Sequence, residues 1–283
     1  MERIDAADAS IGSRGAALTQ PGSCGAAGGR VSLPSESFMI ETVDLVKHYV
    51  AGDGGVVRAL EGVSFAVGRG EMFGLLGANG AGKTTTLRIL ATLLRPTSGT
   101  ARVGGRDVVA DPVGARRALG YVSATTGVPD RLTPREILTS FARLHGLDGP
   151  ETAARTDRLL DLLDLRRCAD RPAGRLSSGQ RQRVSLGRAL VHEPPALVFD
   201  EPTNALDVVG SRDLLAFLAD LRAAGHAILL STHRLHEIEN RCDRFAIIDR
   251  GRIVAQGTRA ELVGDDGGGL EEAFFAALAR GAT

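Results

Sequence analysis

Gly77-Ala-Asn-Gly-Ala-Gly-Lys83-Thr84 fits the G-x-x-x-x-G-K-[ST] spacing of a phosphate-binding loop. Each position has a task. Gly77, Asn79, Gly80, Ala81 and Gly82 bring consecutive backbone N–H groups onto a polyphosphate, and Lys83 reaches its outer phosphates. The Thr84 hydroxyl is placed to ligate Mg²⁺, and Thr85 beside it belongs with the nucleotide-binding residues. Lys47 and Lys83 are the only lysines, every other basic side chain being arginine. A lysine kept in this loop suits a compact ammonium acting as a point charge among phosphates. Further along, Asp200 and Glu201 close the apolar run Ala196-Leu-Val-Phe. Asp200 fits the holding of Mg²⁺ through water, and Glu201 fits a general base that polarises an attacking water. Taken alone, such an acidic pair after a strand is more often a helix cap.

The elements that must position these groups are readable from period and punctuation. Residues 40–49 and 56–67 alternate as two antiparallel strands joined by a Gly-rich turn at 52–55. Met72-Phe-Gly-Leu-Leu76 reads as a buried parallel strand that feeds the loop and then a helix from Thr84 to Leu94, whose dipole faces the phosphates. Thr133-Pro-Arg-Glu136 is a capping box opening a helix to about His145. The leucines between Glu151 and Leu165 form an amphipathic stripe that reads as core packing. Gly179 opens a helix over Gln180–Val191. Residues 196–201 and 227–232 are buried strands separated by a helix at about 211–224. Asp249-Arg-Gly251 turns a hairpin, and a short helix ends the chain at about 270–279. The order predicts an α/β fold with an antiparallel β subdomain and a small helical subdomain at about 125–175.

Leu176-Ser-Ser-Gly-Gln180 resembles the signature of the ABC ATPases. Pro202-Thr-Asn-Ala-Leu-Asp207 resembles that family's D-loop, and Thr232-His233 resembles its switch histidine. From residue 39 to about 280 these motifs follow the family's order. The resemblance implies a P-loop ATPase of the ABC type with ATP and Mg²⁺ as cofactors. In it Ser177, Gly179 and Gln180 would contact ATP held by a second copy, Asp207 would belong to the site, and Tyr49 would stack on adenine. Glu201, Lys83 and His233 would carry the hydrolysis. Partners implied are a second copy of the chain and a separate integral-membrane permease, which places the protein at the cytoplasmic face of the membrane. After Leu119-Gly-Tyr-Val122 the family usually has Pro-Gln; here Ser123-Ala124-Thr125-Thr126 stands instead. That departure, with Arg131-Leu-Thr-Pro-Arg-Glu136 and Phe141-Ala-Arg-Leu-His-Gly-Leu147, is similar to the ATPase subunits of sodium-extruding ABC exporters; drug export is the alternative.

Composition bounds the remaining classes. The formal net charge is zero over 283 residues, which argues against a surface that wraps nucleic acid. No run of 18 apolar residues occurs, so a span by this sequence is not expected. Cys24, Cys168 and Cys242 are scattered and odd in number, reading as reduced thiols. Residues 1–37, rich in Gly, Ala and Ser, read as a disordered leader before the domain at 38–283. Soluble ABC ATPases of the translation-factor type carry two phosphate loops, and those of DNA repair carry long heptad arms. This chain has one loop and no such heptads.

Overall fold

The computed structural model describes residues 38–50, 52, 54–123, 127–204, 206–264 and 268–281. The expectations for the leader and for Ala124 fall outside the described residues. In chain order the elements are β1 (Phe38–Val50), β2 (Val56–Gly68), β3 (Met72–Leu76), α1 (Lys83–Leu90), β4 (Ser98–Val103), β5 (Arg106–Asp107), α2 (Pro112–Arg117) and β6 (Leu119–Val122). Then come α3 (Pro134–Leu144), α4 (Gly149–Leu162), α5 (Ser178–Leu190), β7 (Ala196–Asp200), α6 (Val208–Ala223) and β8 (Ala227–Thr232). The last are α7 (Leu235–Ile238), β9 (Arg244–Asp249), β10 (Arg252–Gly257), α8 (Arg259–Val263) and α9 (Leu270–Gly281).

Two sheets result. An antiparallel sheet has the order β2-β1-β4-β5, and a six-stranded sheet has the order β10-β9-β3-β8-β7-β6. In the second, β6, β7, β8, β3 and β9 run parallel, and β10 is added antiparallel at one edge. Both faces of this sheet are covered, which is why β3, β7 and β8 are apolar runs and not alternating strands. Every residue of β3, β7 and β8 is buried. Successive side chains still divide between faces. Met72 and Leu76 join the core beneath the helices, while Phe73 and Leu75 join the core shared with the antiparallel sheet. Phe65 stacks on Phe73 at 5.4 Å to tie the two sheets together.

The expected elements are present, with four differences. First, α1 stops at Leu90, short of Leu94. Thr92 takes a left-handed backbone (φ 60), and the Leu93 N–H returns to the Arg88 carbonyl, a Schellman closure just before Pro96. Second, α5 begins at Ser178, because Ser177 and Gln180 form a capping box that the sequence reading assigned to another role. Third, Leu162 departs from the leucine stripe. It is exposed, whereas Leu159, Leu160, Leu163 and Leu165 are buried as read. Fourth, α6 starts at Val208, where Asp207 caps it. β4, β5, α2 and α8 had no strong sequence signal. α3 and α4 pack on each other through Leu138, Ala142, Leu159 and Leu160 and form the helical layer expected there.

Candidate functional site

In a parallel sheet all strands point their carboxyl ends at one edge, where ligands bind. Here the loop leaves β3, Asp200 ends β7 and His233 follows β8. These three strands are neighbours in the order β3-β8-β7, so groups far apart in sequence meet at one cleft.

The loop is shaped by what lies beneath it. A Cβ on Gly77 would meet the Ile248 carbonyl at 2.5 Å, and Gly82, at φ 115, would meet the Ala59 carbonyl at 2.9 Å. The Ala81 carbonyl accepts from the Gly251 N–H at 2.9 Å, which fastens the loop to the β9–β10 turn. Gly77 and Ala81 thus support the loop from below, while Asn79, Gly80, Gly82, Lys83, Thr84 and Thr85 line the cleft. Asn204 and Ala59, which sequence reasoning missed, line it too.

Lys83 is buried, 5% exposed, and its Nζ donates to the Gly77 carbonyl at 2.7 Å and the Ala78 carbonyl at 3.2 Å. It also faces Glu201 Oε1 at 3.4 Å. Those contacts hold the ammonium at the loop's mouth. Thr84 Oγ1 donates to Asp200 Oδ1 at 3.2 Å, so the hydroxyl and the carboxylate meet as hard oxygen donors. Such a pair fits Mg²⁺, which binds few protein oxygens and keeps its other positions for water and phosphate.

Glu201 adopts φ 51, a left-handed backbone uncommon for a non-glycine residue. Its N–H donates to the Ser231 carbonyl at 3.1 Å and to Ser231 Oγ at 3.2 Å, pinning that conformation to β8. The turn carries the side chain over the loop, where Oε2 meets His233 Nδ1 at 2.9 Å while Oε1 faces Lys83. Ser231 also donates to Asp200 Oδ1 at 2.7 Å, so one buried hydroxyl orients both carboxylate residues. Sequence reasoning missed Ser231. A polar residue near the end of an otherwise apolar run, Ala227-Ile-Leu-Leu-Ser-Thr232, was the available signal.

Other candidates lie elsewhere. Ser177, Gly179 and Gln180 line a separate groove with Leu163, Leu206 and Phe217, not the loop cleft. Asp207 is bound to the Gly210 N–H at 2.7 Å as the α6 cap and lines neither cavity. Tyr49 is half-buried near the end of β1 under Lys47 Nζ, 5.1 Å from the ring centre, and does not line the cleft. The loop cleft measures about 210 Å³. That is below the roughly 300–1,000 Å³ of typical small-molecule pockets.

The chain is similar to known proteins on both sequence and structure. The family model described as ABC transporter matches residues 60–204. The ABC transporter ATP-binding protein NatA of Bacillus subtilis is 37% identical over 228 residues, covering 80% of this chain and 93% of that protein. The daunorubicin/doxorubicin resistance ATP-binding protein DrrA of Streptomyces peucetius is 40% identical over 223 residues, covering 79% of this chain and 66% of that protein. A solved ATP-binding subunit of an ABC transporter superposes with TM-score 0.75 at 34% identity, covering 85% of this chain and 99% of that one. The dimeric cassette MJ0796 superposes with TM-score 0.70 at 26% identity, covering 78% and 98%.

Proposed function

The chain belongs to the ABC transporter family as an ATP-binding, ATP-hydrolysing subunit, and from that premise we propose that two copies close on ATP to drive export through a separate membrane permease. The observation that carries the mechanism is the meeting of Lys83, Thr84, Asp200, Glu201 and His233 at the carboxyl ends of three adjacent parallel strands. In this reading Lys83 leaves the Gly77 and Ala78 carbonyls for the outer phosphates. Glu201 is freed to take a proton from water, and His233 holds the Glu201 carboxylate toward the terminal phosphate. Mg²⁺, when bound, neutralises phosphate charge; Thr84 and Asp200 would hold it. Tyr49 would stack on the base.

Ser177, Gly179 and Gln180 open α5 in a groove apart from the loop, and they would meet ATP on the other copy. That assignment, the small size of the cleft and the dimeric MJ0796 cassette support a composite site. The permease of this reading is a separate chain; among the described residues no helix is long and apolar enough to cross a membrane. Association with that permease would place the protein at the cytoplasmic face.

Sodium is the first cargo proposed, because the NatA match spans nearly that whole protein and the reading of the 123–147 region agrees with it. An organic drug is the second reading, favoured by the 40% identity to DrrA. The test is ²²Na⁺ efflux from vesicles carrying both subunits, with Glu201→Gln as the inactive partner. ATP-dependent efflux lost in Glu201→Gln supports sodium. Movement of anthracyclines alone refutes sodium while leaving the ATPase reading in place.

A further inference from the structure

The left-handed backbone of Glu201 (φ 51) is followed by Pro202, whose ring restricts the residue before it to extended conformations. Such a residue persists only where its surroundings over-determine it. On its amino side the restraint is β8, through the bonds of the Glu201 N–H to Ser231. On its carboxyl side the Glu201 carbonyl accepts from the Asn204 N–H at 3.2 Å, and the Thr203 carbonyl accepts from the Leu206 N–H at 3.1 Å. Between those two turns lies Pro202, which is buried and has no N–H to donate. Its carbonyl accepts from Gln182 Nε2 at 3.3 Å.

Gln182 belongs to α5, one turn beyond Ser178 and Gly179. Its neighbours on that helix are committed elsewhere. The Gln180 amide oxygen accepts from the Ser177 N–H, Arg181 donates to the Leu176 carbonyl, and Arg183 donates to the Leu163 carbonyl and to Asp164. Gln182 reaches the other way. Among the described residues its bond to Pro202 is the one side-chain hydrogen bond from α5 to the turn that carries Glu201. A carbonyl partner also settles which way the amide points, since only its NH₂ group can donate.

We propose that Gln182 is a positioning residue for Glu201: by holding the Pro202 carbonyl it fixes the carboxyl side of the turn that aims the base. This rests on the reading of Glu201 as the base. Ser231 and Gln182 then clamp the turn at its two ends, one from β8 and one from α5. Gln182 does not line the loop cleft, so its effect falls on the aim of the carboxylate and not on the binding of ATP.

The experiment is a double-mutant cycle on the full chain with Gln182→Met, which keeps the length of the side chain and removes the amide, and Glu201→Gln. ATP affinity is read by calorimetry and hydrolysis by single-turnover phosphate release from labelled ATP. In the parent background Gln182→Met is expected to slow hydrolysis about two- to tenfold, the scale of one neutral hydrogen bond, with ATP affinity within about twofold. In the Glu201→Gln background it should slow hydrolysis no further, because a base that is absent needs no aiming. Unchanged hydrolysis in the parent background overturns the proposal, and so does an equal fall in both backgrounds. Loss of the Mg-ATP dimers of Glu201→Gln on adding Gln182→Met would assign the residue to the signature instead and also overturn it. Gln182→Glu, of the same length but without the N–H donors, repeats the comparison where methionine disturbs folding. If Glu201→Gln alone keeps parental hydrolysis, the base reading itself falls and takes the proposal with it.

Discussion

Ser231 is the residue whose loss tests how the two acids are aimed. Its Oγ both donates to Asp200 Oδ1 and accepts from the Glu201 N–H, so alanine leaves a buried carboxylate oxygen and a strained turn with one tie fewer. Ser231→Ala is expected to lower stability by about 1–3 kcal/mol, read from the denaturant midpoint. Its turnover should fall further than its ATP affinity in EDTA. Glu201→Gln keeps the backbone and removes the base, so turnover is expected to drop roughly 10²–10⁴-fold while ATP still binds. Size-exclusion chromatography in Mg-ATP should then show dimers; a monomer with parental turnover would remove Glu201 from the role. Legibility at this scale follows from chemistry. Lys83 and Thr84 could be found because their loop is contiguous and few other residues can do their work. Ser231 carries a weaker signal, because a polar residue near the end of an apolar strand marks a position and not a role until its two partners arrive from the end of β7. The motif around Asp207 places it with the site, and its carboxylate also caps α6, a local role that the sequence does not announce.

Elements were legible where local signals and tertiary demand agree. The Thr133–Glu136 box opens α3 with both reciprocal bonds formed, as its sequence implies. The end of α1 was not legible, since Leu93 and Leu94 continue the apolar pattern although Thr92 has already turned left-handed. The ends of α3 and α5 carry a pair no periodicity predicts. His145, the cap of α3, stacks on His192, just beyond α5, at 3.8 Å between ring centres and 4° between planes. His192 Nε2 faces the Leu119 carbonyl at 3.1 Å, and its Nδ1 is buried without a partner. Arg155 of α4 sits alongside, bonded to the Val191 carbonyl and to Glu193, which Arg158 also bridges. Burial, then the charges of His145 and Arg155, lower the His192 pKa to about 4, and burial lowers that of His145. The folded state therefore binds fewer protons than the unfolded chain below the ordinary histidine value of about 6.5. The stability this contributes is complete above that value and declines as pH falls toward 4. Melting temperature should accordingly drop between pH 7 and 5, a window above the range where the lowered carboxylates titrate. His192→Gln should flatten that drop; an unchanged slope would show that the pair does not report pH.

For the whole molecule, the separation of Ser177 and Gly179 from the loop cleft has a consequence in allele pairing. Gly179 has open space where a Cβ would go, and it lies in the first turn of α5, where an acidic side chain is welcome. Gly179→Asp should therefore fold and bind ATP normally while setting a negative charge against the nucleotide of its neighbour. Lys83→Ala has the opposite defect, a dead loop with a sound signature. Each variant alone forms only broken sites. In a mixed pair, both faults fall in one of the two sites and the other is assembled entirely from sound parts. Random pairing of equal amounts makes about half the dimers mixed, so about a quarter of all sites are restored. Two inactive proteins are expected to regain ATP turnover on mixing, measured as phosphate release. A mixture no faster than its components would mean that each chain completes its own site. Where mixing restores turnover, recessive defects in the gene complement or fail to complement according to which half-site they strike, so a genetic cross alone could sort uncharacterised lesions between the loop and the signature.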